Sequence, residues 1–325
     1  MNYIKLIRPV NLLIIIATMY LFRTCIVAAS PYRTFYITHV MTDIQFLLLV
    51  LATLLIAAGG YVINDIFDVD IDSINRPEKV LIGITITETQ AYTFYKILCS
   101  LGIICTLILA FLTKNFRLST LPIIIMVILN FYAHTFKKQL IVGNFMIALC
   151  TSFTILLIAL FESTSNEGTS NDWYVRSGIA IAAVVYSLFA FLTTFLREII
   201  KDAEDKKGDE LNGARTIPIV YEKKGTRIAA GIICLILMLM LGSFIWFFPN
   251  INLKIVSVFL LIGLVLPLFA IIFLIFKAKS VADFHFVSNL IKVFMCIGIA
   301  TLLYFRSGIG PYVFVQYANF IKKLF

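Results

Sequence analysis

Two sets of three aspartates share one spacing in this sequence, and together they could bind a divalent metal ion. Both sets follow the pattern D-x-x-D-x-x-x-D, and each set comes directly after a long apolar run. The six residues are Asp65, Asp68, Asp72, Asp202, Asp205 and Asp209. A motif that recurs in this way indicates an internal repeat, so we expect the two sets to serve one site.

Helical geometry sorts the acids by the direction in which they point. Successive residues on an α-helix are rotated by about 100°. The first set, together with Asn64, falls on a face roughly 100° wide, whereas Asp70 points away and is predicted to be a solvated charge. The second set shares a narrow stripe with Glu198, while Glu204 lies opposite. Each motif is therefore predicted to present a ladder of carboxylates along one side of a helix.

A divalent cation would reduce the electrostatic repulsion within these ladders of carboxylates. Like charges at such spacings repel each other, and the low dielectric beside a membrane strengthens the repulsion. Mg²⁺ prefers hard oxygen ligands, and it commonly combines carboxylates with phosphate oxygens and water. We therefore predict a Mg²⁺-bound diphosphate held between the two motifs. Nearby basic residues could neutralise the remaining phosphate charge: Arg76, Lys79, Lys137, Lys138, Lys201 and Arg215.

The elements that position these acids are predicted to be membrane helices. The chain has 325 residues, of which 61% are hydrophobic and only 14% are charged, whereas soluble domains are nearer half and a quarter. Nine apolar stretches are long enough to span a bilayer as helices. They cover roughly residues 10–29, 44–64, 92–113, 118–136, 141–161, 174–196, 228–248, 255–276 and 288–306. The predicted fold is all-α, a polytopic bundle of nine transmembrane helices in a single domain, 1–325.

The distribution of basic residues predicts the orientation in the membrane. Placing the N-terminus in the cytoplasm gives that side a roughly two-to-one excess of Lys and Arg, as the positive-inside rule requires. The net charge of +9 then reflects topology and does not indicate a nucleic-acid partner. Four predicted spans separate the two motifs, so the motif loops, 64–91 and 197–218, both face the cytoplasm. We expect a multi-pass protein of the plasma membrane with its active site on the cytoplasmic side.

A diphosphate site at the mouth of a helix bundle favours an amphiphilic substrate such as an allylic prenyl diphosphate. Metal and basic side chains would stabilise the departing diphosphate. The surrounding bilayer would exclude water from the allylic cation. A transporter would also use acidic residues, but the predicted span centres carry almost no charge, whereas conduction paths normally need polar groups near mid-membrane.

The sequence resembles the UbiA superfamily of intramembrane prenyltransferases over nearly its whole length. Nine spans carry N-D-x-x-D-x-x-x-D after the second and D-x-x-D-x-x-x-D after the sixth. The opening LIRPVN and the later NFYAHTFKKQLIVGNFMIAL are similar to the family's first helix and to its fourth and fifth helices. The resemblance implies a Mg²⁺-dependent prenyl transfer to a lipophilic acceptor in the bilayer.

The second motif is most similar to the digeranylgeranylglyceryl phosphate synthase branch of that superfamily, through REIIKDAEDKKGDELNGARTIPI. This resemblance implies transfer of a geranylgeranyl-like group to the hydroxyl of a geranylgeranylglyceryl phosphate, with release of diphosphate. The stretch RPEKVLIG departs from the branch because Val80 replaces a second proline. The acceptor and the prenyl length therefore stay open, and an aromatic acceptor of quinone synthesis remains the alternative.

The resemblance also implies roles for individual residues. The six aspartates would be the catalytic metal ligands, and Asn64 would orient the first site. Contacts to the diphosphate or to an acceptor phosphate would come from Arg76, Lys138, Lys201 and Arg215. Three further residues, Asn11, Tyr132 and Asn144, would line the cavity or pack between helices. No role is assigned to Arg23, His39, His134 or His285.

Overall fold

The computed structural model describes residues 2–27, 41–162, 170–306 and 309–323. These residues are almost entirely helical, and their only β-type pairing is an isolated bridge between Ile82 and Ile86. The predicted all-α class is therefore confirmed. His39 lies outside the described residues.

Fourteen α-helices follow one another along the described chain. They are α1 Asn2–Leu6, α2 Pro9–Phe22, α3 Asp43–Phe67, α4 Val69–Asn75, α5 Glu88–Thr113, α6 Phe116–His134, α7 Val142–Glu162, α8 Ser170–Leu211, α9 Ile217–Val220, α10 Glu222–Phe247, α11 Lys254–Leu260, α12 Leu266–Lys277, α13 Val281–Ala300 and α14 Gly310–Lys322. Short 3-10 segments connect several of them, including Pro77–Lys79 after α4 and Phe136–Lys138 after α6.

Nine segments within the described residues are long and apolar enough to cross a membrane, in agreement with the predicted number. They are Pro9–Val27, Asp43–Phe67, Glu88–Thr113, Phe116–His134, Val142–Glu162, Val175–Leu211, Glu222–Ile251, Lys254–Lys277 and Val281–Phe305. The chain is therefore an integral multi-pass membrane protein.

At two of these spans a capping box starts the helix before the predicted apolar run begins. Thr87 and Gln90 exchange side-chain and backbone hydrogen bonds at the start of α5. Ser280 and Asp283 do the same at the start of α13. His285, which precedes the predicted span 288–306, therefore lies in α13. Such reciprocal caps satisfy backbone N–H groups that a helix end leaves unpaired.

The described chain divides into two compact units. The first unit comprises Met1–Met19, Met41–Cys150 and Asp205–Val220. In this unit α3 packs against α5 and α6, and two adjacent glycines allow the close approach. A Cβ atom on Gly59 would lie 3.0 Å from Cys99 Sγ, and one on Gly60 would lie 2.9 Å from Leu129 Cδ1. These contacts hold the end of α3, which carries the first motif.

The second unit comprises Tyr20–Val40, Thr151–Glu204 and Tyr221–Phe325. Aromatic side chains form much of its described interior, and the rings of Phe244 and Tyr317 stack with centroids 4.1 Å apart. A small apolar cavity of about 50 Å³ lies beside Phe244. The continuous helix α8 contributes residues to both units.

The two motif segments are more helical than the predicted loops, 64–91 and 197–218. The second motif lies wholly within α8, which continues to Leu211. The first motif lies at the junction of α3 and α4, where Asp68 interrupts the helix with φ −96° and ψ 1°. Backbone hydrogen bonds still connect Asp68 to Asn64 and Asp72 to Asp68, at 3.0 and 2.7 Å. The predicted ladder is thus preserved across a slight break.

Candidate active site

Asp65, the first acid of the first motif, pairs with an arginine from the start of the chain. Arg8 Nη2 lies 2.5 Å from Asp65 Oδ1, and the Arg8 guanidinium carbon stands 5.1 Å from the centre of the Tyr61 ring. Arg8 adopts a left-handed backbone with φ of 52°, which non-glycine residues rarely adopt. Burial acts to lower the pKa of Arg8, but the charge of Asp65 outweighs it and raises that pKa above its usual value.

Asp68 is buried, with 4% of its surface exposed, and it binds a lysine from the segment that follows α6. Lys137 Nζ donates a short hydrogen bond to Asp68 Oδ2, and Asn64 Nδ2 donates to the same oxygen at 2.6 Å. Burial acts to lower the pKa of Lys137, but the nearby carboxylates, Asp68 above all, raise it overall. The ammonium group therefore stays charged although it is half-buried.

Asp205 links the second motif to the end of the first. Arg76 Nη2 lies 2.6 Å from Asp205 Oδ1. The preceding residue, Asn75, donates from Nδ2 to the Asp205 carbonyl oxygen at 2.9 Å, and its Oδ1 accepts the Gly208 N–H at 2.9 Å. The first unit thus brings part of the second motif against the end of α4.

Two further acids of the motifs, Asp72 and Asp209, lie in the same unit. Asp72 is half-buried and Asp209 is 5% exposed. Burial raises the pKa of the Asp72 carboxyl, and the charges of Asp68, Asp65 and Asp205 raise it further. The carboxylates of Asp65, Asp68, Asp72 and Asp205 are therefore close enough to act on one another, and a divalent cation would relieve this repulsion.

Two other predicted cations lie side by side at the surface of this unit. The Arg215 backbone N–H donates to the Lys138 carbonyl oxygen at 2.9 Å, and both side chains are exposed. No ion pair within the described residues involves either side chain. They therefore remain accessible to an anionic ligand.

The part of α8 that belongs to the second unit carries its own charged residues. Glu198 is buried and lies 3.1 Å from Arg197 Nη1 and 3.6 Å from Lys201 Nζ. Asp202 is half-buried and precedes Asp205 by one turn of the same helix. Lys201 thus has a carboxylate partner on its own helix.

The three predicted cavity residues lie on three different helices. Asn11 is half-buried near the start of α2, where its backbone N–H donates to the Arg8 carbonyl oxygen at 2.9 Å. Tyr132 is half-buried near the end of α6, and Asn144 is buried in the first turn of α7 with 5% of its surface exposed. Their role in lining a substrate cavity stays a prediction.

Comparison with known proteins identifies the family. A profile of the UbiA prenyltransferase family matches residues 13–298. The chain belongs to the UbiA prenyltransferase family. Among its relatives is a digeranylgeranylglyceryl phosphate synthase of Sulfurisphaera tokodaii, which is 30% identical over 273 residues, or 83% of this chain and 88% of that protein. The prediction of an intramembrane prenyltransferase is confirmed.

Solved structures of UbiA proteins share the fold. One, from a study of digeranylgeranylglyceryl phosphate synthase in membranes, has a TM-score of 0.61 and 24% identity, and the match covers 94% of this chain and 98% of that one. Another is a UbiA homologue from Archaeoglobus fulgidus bound to GPP and Mg²⁺, with a TM-score of 0.56, 14% identity and coverage of 93% and 99%. At these identities the likeness supports the fold.

The sequence alone did not predict which partners several residues of this UbiA site would bind. It named Lys137 only among the nearby bases, and it gave Arg8 and Asn75 no role in the cluster. One signal was available for Arg8, because it precedes Pro9 on the same predicted side of the membrane as the motifs. The partner of Lys137 depends on how α6 packs against α3, which local spacing does not contain.

Arg23, His134 and His285, to which no role was assigned, have partners in the structure. Arg23, the charge inside the first span, lies 3.5 Å from Glu162 Oε1. His285 Nδ1 lies 2.8 Å from Glu204 Oε1, which agrees with the prediction that Glu204 points away from the metal ladder. His134 is exposed and its Nδ1 lies 3.0 Å from Thr135 Oγ1.

The chemistry of the cluster fits a hard divalent metal ion. In the described part of the first unit, no three His, Cys, Asp or Glu side chains converge on one point, and three of the motif acids bind side-chain cations. Asp65, Asp68 and Asp205 each offer a carboxylate oxygen to a positive group at hydrogen-bonding distance. Carboxylate oxygens of this kind are the ligands that Mg²⁺ prefers.

Proposed function

We propose that this prenyltransferase transfers a geranylgeranyl-like group from an allylic prenyl diphosphate to the hydroxyl of a geranylgeranylglyceryl phosphate, with Mg²⁺ as cofactor. The observation that carries the proposal is the set of three carboxylate–cation pairs, Asp65 with Arg8, Asp68 with Lys137, and Asp205 with Arg76. The relatives named digeranylgeranylglyceryl phosphate synthase support the choice of acceptor.

The three pairs suggest how the donor headgroup is held. With Mg²⁺ and diphosphate present, the motif carboxylates would hold the metal, and Arg8, Arg76 and Lys137 would bind the phosphate oxygens. We assign Mg²⁺ binding to the six motif aspartates, with Asn64 orienting Asp68. A UbiA homologue from A. fulgidus with the same fold binds GPP and Mg²⁺, which supports a metal-bound prenyl diphosphate as the donor. The metal supplies charge neutralisation to the departing diphosphate.

The protein's side chains contribute to the reaction by binding and orienting the two substrates. Heterolysis of the allylic carbon–oxygen bond places both electrons on the diphosphate, where Arg8, Arg76 and Lys137 stabilise the developing charge. The acceptor hydroxyl oxygen forms the new ether bond to the allylic carbon, and its proton passes to the released diphosphate. Tyr132 offers an aromatic face to the allylic cation, and Asn11 and Asn144 line the cavity that excludes water.

The acceptor's phosphate requires a second group of cations. Lys138 and Arg215 are adjacent, exposed and outside every ion pair of the described residues, so we assign them to this phosphate. Lys201 reaches either phosphate by leaving Glu198. A phosphate-free aromatic acceptor would leave Lys138 and Arg215 without a ligand, which favours the glyceryl phosphate.

We further infer that residues 1–325 act as one prenyltransferase domain, because α8 contributes its aspartates to both compact units. The N-terminus and both motif segments face the cytoplasm, and the protein resides in the plasma membrane, in keeping with the basic residues around the motifs.

The test is a product assay with purified full-length protein, labelled geranylgeranyl diphosphate and Mg²⁺. We expect an ether product with geranylgeranylglyceryl phosphate, and we expect no product from Asp68→Asn or Asp202→Asn. Asp70→Asn, on the exposed side of α4, is the matched control with unchanged turnover. Carbon-linked products from hydroxybenzoate or naphthoate acceptors alone would favour the aromatic alternative. Ion flux in liposomes without turnover would overturn the proposal.

A further inference from the structure

Asn75, the last residue of α4, uses both ends of its side-chain amide on α8. Its Nδ2 donates to the carbonyl oxygen of Asp205, and its Oδ1 accepts the N–H of Gly208, both at 2.9 Å. We refer to these two hydrogen bonds between Asn75, Asp205 and Gly208 as the amide clamp. The clamp joins the end of the first aspartate motif to the middle of the second across 130 residues of sequence.

Gly208 shows how tight this contact is. A Cβ atom at this position would lie 2.5 Å from Asn75 Nδ2 and 2.8 Å from Asn75 Cγ, so any side chain would push the amide away. Glycine is disfavoured inside helices, and α8 runs for 42 residues. The close approach of Asn75 gives a physical reason for a glycine there.

The short helix α4 needs such an external contact. It contains seven residues, and isolated helices shorter than about 12 residues are marginal in water. Next to the clamp, Arg76 pairs with Asp205, and the Arg76 N–H donates to the Asp72 carbonyl oxygen at 2.7 Å. The position of Asp72 relative to α8 therefore depends on the end of α4.

We propose that the amide clamp sets the register of the two aspartate motifs, so that Asn75 is a positioning residue for Mg²⁺ and diphosphate binding. This inference rests on the proposed function, because it concerns the same metal–diphosphate site. Asn75 itself contacts backbone atoms of the second motif and leaves the carboxylates available as ligands.

The first test measures the clamp directly, without turnover. Hydrogen exchange of the full chain in lipid nanodiscs, followed by mass spectrometry, is compared between wild type and Asn75→Ala. We expect faster exchange in two segments, 69–76 and 205–211, and unchanged exchange in α10. Ser73→Ala, an exposed change on the same short helix, is the control and should leave both segments as they are. Unchanged exchange in Asn75→Ala would overturn the proposal.

The second test asks whether the register matters for ligands. Inorganic pyrophosphate with Mg²⁺ should raise the Tm of wild type and Ser73→Ala, and Asn75→Ala should need roughly tenfold or more Mg²⁺ for the same rise. In turnover, we expect kcat/KM to fall roughly ten- to hundredfold at low Mg²⁺ and to recover in part at high Mg²⁺. If Asn75→Ala exchanges faster but needs the same Mg²⁺ concentration as wild type, the clamp is only a structural contact and the positioning role is refuted.

A double variant distinguishes loss of the amide clamp from nonspecific destabilisation of the fold. Gly208→Ala should lose activity because its methyl group collides with Asn75, whereas in the Asn75→Ala background the same methyl group finds space and should add little further loss. Additive losses would contradict the proposal. Gly231→Ala, where a Cβ meets no atom within 4 Å, is the matched helix-glycine control. Failure of wild type to transfer any prenyl group would refute the proposed function instead, while the exchange and pyrophosphate results would still decide the role of the clamp.

Discussion

Replacing Lys137 by Met removes the positive partner of a buried carboxylate. The Asp68 side chain is 6% exposed and the Lys137 side chain is 24% exposed, so neither group is well solvated. Removing one member of a fully buried pair costs about 3–5 kcal/mol. Because Lys137 is partly exposed and Asn64 still donates to Asp68 at 2.6 Å, we expect a smaller loss of about 2–3 kcal/mol in the free energy of unfolding.

The loss should appear as a fall in the apparent Tm of the detergent-solubilised protein by about 4–8 °C in EDTA. Mg²⁺ should recover most of it, since the metal replaces the ammonium group beside Asp68. In an Asp68→Asn background, Lys137→Met should cost little, because no buried charge is left unpaired. Lys138→Met, whose side chain is exposed, is the control for stability. Equal Tm values for Lys137→Met and wild type in EDTA, or additive losses in the double variant, would refute this account of the pair.

Three further predictions follow from the geometry of the site. Burial and the charge of Asp68 raise the pKa of Asp72 in the folded protein. Without Mg²⁺, protonated Asp72 therefore stabilises the fold below about pH 4, and this stabilisation is lost as the pH rises through the folded-state pKa. In a series of Tm measurements against pH without metal, Asp72→Asn should reduce the fall in Tm over this pH range. The same fall in Asp72→Asn and wild type would contradict this role of Asp72. Arg8→Ala removes the charge-assisted hydrogen bond that Arg8 would donate to the diphosphate, worth about 1.5–3 kcal/mol, so kcat/KM for the prenyl diphosphate should fall about tenfold or more in steady-state assays. Lys138→Ala and Arg215→Ala should raise KM for the phosphate-bearing acceptor and leave KM for the donor nearly constant; equal changes in both would place these cations at the diphosphate instead.

Local periodicity accounts for much of what the sequence could predict about the site. The 3.6-residue repeat separates Asp68, which is buried, from Asp70, which is exposed, and it places Glu204 away from the ladder, where it meets His285. The apolar runs predicted the number of spans, because a segment that crosses lipid must satisfy its backbone within a helix. The early starts of α5 and α13 were also readable in principle, since capping boxes are local patterns.

By itself, then, the sequence determined the helical class, the nine spans and the faces of the two aspartate ladders, because each depends on residues a few positions apart. Only the tertiary structure decided which cation each acid binds. Arg8 lies 57 residues from Asp65, Lys137 lies 69 from Asp68, and Arg76 lies 129 from Asp205. Such partners are chosen by how helices pack, and that packing depends on close approaches such as Asn75 on Gly208, which no local spacing encodes.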